Sequence, residues 1–244
     1  MTERGMIFNG EMVRALLSGR KTQTRRIVKG TDGAVKFCKE WDINGKEVFV
    51  VLGEKDHTGM NPVLGAISCP FGAVGDRIWV RETWGVVSHA FSDDGLMIDW
   101  VPDRPATAIN EMPFGNGYYS GHAIYAADGD FTWGDDDGYE DGRSCWKPSI
   151  HMPRAASRIL LEITNVRVER LNAISEEDAT AEGVPPAGSL LPDYPGTFLT
   201  PKGDFATAKV AFQRLWESIY GEESWKANAW VWVISFKRVE GGAA

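Results

Sequence analysis

The densest chemical run in the chain is Gly19-Arg20-Lys21-Thr22-Gln23-Thr24-Arg25-Arg26, which places four cations within seven residues. Crowded like charges weaken a lysine's hold on its proton, one way to obtain a neutral amine that can act as a base. Thr24, three positions further on, offers a hydroxyl that such a base could activate as a nucleophile. On a straight strand Lys21 and Thr24 would point to opposite faces, so a shared site requires residues 21–24 to curve. The same run also reads as a solvated loop, because most charge runs are surface and cations are favoured near a helix C-terminus. Composition alone favours the solvated loop.

A second candidate is Glu182. It falls on the last turn of a helix opened by Ser175, where the helix dipole disfavours negative charge and raises a carboxyl pKa, as a general acid requires. It also reads as an ordinary exposed helix residue, like Glu176 and Glu177. Arg77, Arg81 and Glu82 around Trp79 and Trp84 could line a pocket, or simply be the polar positions of a half-exposed strand. His151-Met152-Pro153-Arg154 with Arg158 forms a smaller basic group with the same two readings. Cys38, Cys69 and Cys145 lack CxxC spacing, so neither a disulfide framework nor a zinc ribbon is indicated. The four histidines bring no nucleophile-elbow motif, and no metal-ligand spacing occurs. Gly115-Asn116-Gly117 is a turn, since no GK[ST] follows.

The elements that must position these groups follow from periodicity. Residues 6–8 read as a short strand, and Asn9 can cap a helix whose apolar stripe is Met12, Val13, Leu16 and Leu17, with Gly19 as its stop. Residues 47–52 and 77–82 read as strands, the second entered through Gly75-Asp76. Residues 157–170 alternate as a strand, with a break at Thr164-Asn165 that suggests a bend or bulge. Ser175 and Asp178 form a variant capping box, with Gly183 closing that helix. Residues 185–203, opened by Pro185-Pro186, are a loop. Phe205, Ala208, Phe212, Leu215, Trp216 and Ile219 have helical spacing up to Gly221. Trp230, Trp232, Ile234 and Phe236 alternate as a core strand. Short strands interleaved with three helices predict an α+β fold, with a small closed barrel as one form of it.

The 244 residues are 43% apolar and 25% charged, with 10 Trp, 11 Phe and 6 Tyr, which excludes a disordered chain. The longest apolar run, Ala229 to Ile234, is far short of the roughly 20 residues of a membrane span. The N-terminus lacks a secretion signal, so a reduced, cytoplasmic protein is expected. The formal charge of −8 is unevenly placed: residues 89–142 hold twelve acids against one base, Arg104, which leaves the remainder mildly basic. A small anionic or nucleoside-like ligand suits that distribution better than a long nucleic-acid track, which needs many phosphate contacts. The acidic stretch reads as a surface insertion whose most exposed part is 128–142. Its aromatics, Trp100, Tyr118, Tyr119, Tyr125 and Trp133, imply that part of it packs.

Gly19-x-Lys21-x-x-Thr24-x-Arg26 after an N-terminal helix resembles the signature of the ASCH domain, a branch of the PUA-like superfamily. The likeness extends through the Gly75-Asp76-Arg77-Ile78-Trp79-Val80 strand entry and the helix from Phe212 to Gly221 followed by the strand from Trp230. With His151 to Arg158, the layout resembles the longer ASCH-type proteins of phages and prophages. It covers about residues 6–30, 74–84 and 154–238, leaving insertions at about 31–73 and 85–153 in a single domain. The resemblance implies a PUA-like pseudo-β-barrel with flanking helices and a cleft for RNA, modified bases or nucleosides. It also implies a metal-independent amidohydrolase that needs no cofactor and removes an acyl group from N4-acylated cytidine or a related modified nucleoside. Lys21 would be the base, Thr24 the nucleophile and Glu182 the acid. Arg25 or Arg26 would hold the oxyanion, ribose or phosphate. Arg20, Arg81, Trp79 and Trp84 would complete the substrate contacts. Lys21 and Thr24 would then be replaceable with little loss of stability, as groups outside the core. Two other readings stand beside this one: a non-catalytic reader of RNA or modified nucleotides, with ribonuclease activity as its variant, and a phage accessory protein that binds a host protein through the acidic insertion. No membrane partner is implied.

Overall fold

The computed structural model describes residues 1–133 and 144–239. Along the chain, β1 (Glu3–Ile7) leads to α1 (Gly10–Leu17), β2 (Gln23–Ile27), β3 (Lys36–Trp41), β4 (Glu47–Leu52), β5 (Val63–Ile67), β6 (Arg77–Arg81) and β7 (Trp84–Val87). Then come β8 (His89–Phe91), β9 (Met97–Asp99), β10 (Thr107–Phe114), β11 (Gly117–Tyr125), β12 (Leu160–Arg170) and α2 (Glu176–Ala181). The chain ends with β13 (Phe198–Leu199), β14 (Phe205–Ala206), α3 (Ala208–Tyr220), α4 (Glu222–Lys226) and β15 (Trp230–Arg238). These elements divide between two compact units, each assembled from separate stretches.

The first unit comprises Met1–Glu3, Ala15–Arg77 and Glu162–Lys237. Its central strand, β15, is buried on both sides because every residue from Val231 to Ile234 is apolar. β2 lies antiparallel to it, with Thr24 opposite Ile234, Arg25 opposite Val233 and Arg26 opposite Trp232. β12 is its other neighbour. On one face the antiparallel sheet β3-β4-β5 packs edge-to-face, Phe37 on Trp230 at 4.9 Å and Phe49 on Trp232 at 5.0 Å. α3 supplies buried Ala208, Ala211, Phe212, Leu215 and Trp216; of the stripe read from the sequence, Ala208, Phe212, Leu215 and Trp216 are buried, while Ile219 near the helix end is exposed. That helix begins at Ala208 and not at Phe205, which pairs in the β13-β14 hairpin before Thr207 takes the N-cap position. Gly221 closes it with a φ of 87°, donating its N–H to the Glu217 carbonyl at 2.8 Å.

The second unit holds Arg4–Arg14, Ile78–Leu161 and the described residues from Arg238. Its sheet runs β10-β11-β7, all antiparallel, around a core of Trp84, Ile109, Met112, Ala123, Tyr125, Met152 and Ala156. A buried charge group sits here: Arg158 spans Glu82 with two hydrogen bonds, at 3.0 and 2.9 Å, and reaches Asp128 at 2.6 Å. Its guanidinium lies over the Tyr125 ring, 3.9 Å from the centroid. Burial pushes the Glu82 carboxyl above its usual range against the pull of Arg158.

The α+β class is as read, but the closed barrel is not: among the described residues the strands form several small sheets and none closes on itself. Both stretches assigned to insertions are built largely of hairpins, β3-β4-β5 in one and β8-β9 and β10-β11 in the other. The aromatics of the acidic stretch divide, with Tyr125 and Trp133 buried and Tyr118 exposed. The most acidic part, 134–142, falls outside the described residues. No helix among those described is long and apolar enough to cross a membrane.

Candidate functional site

Three backbone hydrogen bonds fix the segment that carries Lys21. The Lys21 N–H donates to the Ala15 carbonyl of α1 at 3.0 Å, the Thr22 N–H to the Ala181 carbonyl of α2 at 2.9 Å, and Phe236 donates its N–H to the Thr22 carbonyl at 2.9 Å. Gly19, with a φ of 74°, ends α1 and turns the chain toward this seat. α2 starts as expected: the Ser175 hydroxyl oxygen accepts the Asp178 N–H at 3.1 Å. Gly183 ends it with a φ of 88°, and a Cβ there would lie 2.8 Å from the Lys21 Cβ and 2.9 Å from the Ala15 Cβ. Glycine therefore serves twice, supplying the turn and letting α2 close on α1 and Lys21.

That approach brings Glu182 to Lys21. The Lys21 Nζ donates to Glu182 Oε2 at 3.0 Å and to the Glu182 backbone carbonyl at 2.8 Å. Arg25 takes the other carboxylate oxygen, Nη1 to Oε1 at 3.0 Å, while its Nη2 reaches Asp178 Oδ2 at 2.7 Å and Glu169 Oε2 at 3.2 Å. Arg167 closes the group by bonding Glu169 at 2.5 Å and Asp178. Three cations thus interlock with three carboxylates. Lys21, Thr24, Arg25 and Glu182 are only 2–3% exposed.

Burial in this group lowers the proton affinity of Lys21; Glu182 acts against that, and the charges of Arg26 and Arg25 reinforce it. Burial opposes ionisation of Asp178, but the Arg25 hydrogen bond and the charges of Arg167 and Arg25 outweigh it and hold its pKa below the usual carboxylate range.

β2 carries both polar faces of the site. Gln23 and Arg25 reach α2, the former donating to the Asp178 carbonyl at 2.8 Å, and Arg25 also lies 5.8 Å from the Phe212 ring centroid. Strand alternation turns Thr24 and Arg26 to the opposite face, the one shared with Ile234 and with the Trp232 that packs on Phe49. Lys21 precedes the strand and shares the α2 side with Gln23 and Arg25.

The residues named from the sequence therefore distribute as follows. Lys21, Arg25 and Glu182 converge directly. Thr24 is adjacent in the chain on the other strand face. Arg20 is exposed and bonds the Gly183 carbonyl at 3.3 Å, across the end of α2. Arg26 is half-buried beside Trp232. Arg25 is not free to hold a substrate oxyanion or phosphate, because its fully enclosed guanidinium is committed to three carboxylates. Lys21 and Thr24 are core residues, contrary to the expectation that they lie outside it. Trp84, Trp79 and Arg81 belong to the second unit. Trp84 is enclosed in that unit's core and leaves no ring face for a base. Arg81 lies over the Trp79 ring at 5.3 Å and donates to the Ile150 carbonyl. No group of three or more His, Cys, Asp or Glu among the described residues is arranged to hold a metal ion.

Asp178, Glu169 and Arg167 were not read as site residues. The signal for Asp178 is its spacing: four residues before Glu182, it shares that residue's helix face. Arg167 and Glu169 are two apart on β12 and share a strand face in the same way.

The site thus belongs to an α+β unit in which a buried, charge-balanced lattice joins the end of α1, β2, β12 and α2. Comparison with family models, with curated proteins and with solved structures gives no match for the chain.

Proposed function

We propose that the protein is a metal-independent amidohydrolase of the ASCH, PUA-like type, acting on N4-acylated cytidine or a related modified nucleoside. The observation that carries this reading is the Lys21 Nζ held 3.0 Å from Glu182 Oε2 in a fully buried pair, with Thr24 three residues along. A base and an acid must exchange one proton to exchange roles, and the pair can do so internally. Transfer from Nζ to Oε2 produces a neutral amine and a carboxylic acid without changing the net charge of the pair. Lys21 then takes the Thr24 hydroxyl proton, Oγ bonds the acyl carbon, and the C–N bond breaks as Glu182 delivers its proton to the departing exocyclic amine. That step returns the pair to ammonium and carboxylate. Transfer from Nζ to Oε2 then recurs: neutral Lys21 takes a proton from the attacking water as its oxygen bonds the acyl carbon, the acyl carbon–Oγ bond breaks, and Glu182 returns a proton to Thr24 Oγ, which releases the carboxylic acid and restores ammonium and carboxylate.

The test is incubation of the purified protein with N4-acetylcytidine, following cytidine release by chromatography. Release that is lost in Lys21→Met and Thr24→Val supports the assignment; no release by the folded wild-type protein refutes it.

A second reading, a non-catalytic reader of modified nucleotides or RNA, is favoured by one observation. Both oxygens of Glu182 are already engaged by cations, and Thr24 lies on the face away from Arg25, so the hydrolase requires a turn at the start of β2 that a reader does not. Binding of N4-acetylcytidine without turnover selects this reading.

A further inference from the structure

We infer that Arg25 is the positioning residue of the Lys21–Glu182 pair: its guanidinium ties Glu182 to Asp178 and Glu169, and so fixes and shares the carboxylate on which Lys21 rests. Its turnover consequence rests on the hydrolase reading; its structural consequence does not.

The geometry assigns this role to the planar fork of an arginine. Arg25 meets carboxylates from two elements at once, Glu182 and Asp178 of the α2 region and Glu169 of β12, with its side chain wholly enclosed. A lysine ammonium is a point donor that could satisfy one of these groups but could not hold their spacing. Arg167 braces Glu169 and Asp178 from the far side, and Gln23 holds the Asp178 carbonyl. Neither oxygen of Glu182 can therefore swing without breaking a bond to a cation.

The same arrangement divides the Glu182 charge between Lys21 and Arg25. The charged groups that bear on Lys21 are Glu182, Arg25 and Arg26, and behind Arg25 stand Asp178, Glu169 and Arg167. Buried charges are weakly screened, so each change is felt at Nζ. Without the Arg25 charge, Glu182 acts on Lys21 undivided and the ammonium holds its proton more tightly. Without the Asp178 charge, the surroundings become more positive and the ammonium holds its proton less tightly.

The experiment is a pH titration of the Lys21 Nζ resonance, assigned by its absence in Lys21→Met, in the wild type, Arg25→Gln and Asp178→Asn. The midpoint should move to higher pH in Arg25→Gln and to lower pH in Asp178→Asn. In the cytidine-release assay Arg25→Gln should lower kcat roughly a hundredfold with little change in KM, the mark of misplaced reacting groups, and Arg25→Lys should restore only part of it. Midpoints that stay put in both variants overturn the inference. Opposite shifts in a wild-type protein that releases no cytidine refute the hydrolase and leave the positioning role standing. Should Arg25→Gln not fold, Asp178→Asn decides alone, since Asp178 sits at the partly exposed edge of the lattice: a downward shift supports the inference and an unmoved or upward one overturns it.

Discussion

Replacing Lys21 by Met keeps much of the side chain's length and volume and removes the ammonium. Glu182 then keeps Arg25 on Oε1 but loses the Nζ donor on Oε2 at 3.0 Å, and its backbone carbonyl loses the same donor at 2.8 Å. Breaking a buried pair by removing one partner costs about 3–5 kcal/mol. Two hydrogen bonds from a charged donor, at about 1.5–3 kcal/mol each, give a similar figure. Arg25 still compensates half of the carboxylate, and relief of the buried ammonium's desolvation offsets part of the loss, so the low end, about 3 kcal/mol, is expected. For a chain of this size that lowers Tm by about 6–12 °C. Urea unfolding followed by the fluorescence of the ten tryptophans measures it. A double-mutant cycle with Glu182→Gln should show the two losses to be less than additive, because the second substitution removes the stranded charge. A Lys21→Met protein within about 0.5 kcal/mol of the wild type, the range of an ordinary surface substitution, would refute the claim that this pair is a buried structural contact.

Gly183→Ala should destabilise by about 2 kcal/mol or more, since a Cβ at a φ of 88° would press on the Lys21 and Ala15 Cβ atoms, which cannot rotate away; thermal melts measure it. Asp178 has a folded pKa below its unfolded value, so its contribution is present above about pH 4 and is lost as pH falls through the folded pKa; Asp178→Asn should flatten that acid limb of a stability-versus-pH curve. In the second unit, Arg158→Met strands Glu82 in the core and should cost about 3–5 kcal/mol near neutral pH by urea melts. That loss should shrink on acidification, because Glu82, already raised by burial, then takes up a proton.

What was legible in the sequence was what local chemistry decides. Ser175 caps α2 through Asp178, Gly19 and Gly221 end their helices at positive φ, and Ala208, Phe212, Leu215 and Trp216 of α3 are buried where their period puts them. The parity change in β12 also shows: Thr164 and Asn165 are both exposed, and burial passes from Leu161 and Ile163 to Val166. What was not legible depends on partners distant in the chain. Lys21 and Arg25 read as surface because their acids lie some 140–160 residues away, on β12 and in the α2 region. Glu176, Glu177 and Glu182 looked equivalent, yet the first two are exposed and the third is enclosed, since only Glu182 lies where Gly183 lets the backbone close on Lys21. β3 was missed because its burial is slight; its pairing depends on the turn in which Asp42 Oδ1 accepts the N–H groups of Asn44 and Lys46.

Two local penalties meet at one place in the first unit. Residues 20–26 crowd like charges that repel in the isolated segment, and Glu182 puts a negative charge at the helix end that disfavours it. Lys21 and Arg25 of the first are paired with Glu182 of the second, together with Asp178, Glu169 and Arg167. The pairing is also rigid, because the backbone around Lys21 is bonded to α1, α2 and β15 and Gly183 leaves no slack between α2 and Lys21. An apolar core would have joined these elements at lower cost, since buried ion pairs add little net stability over well-packed hydrophobic residues. Under the hydrolase reading proposed above, a sequence that breaks two local rules at one point and holds the offending groups to a fixed geometry supplies what a reactive pair on a stiff scaffold would need.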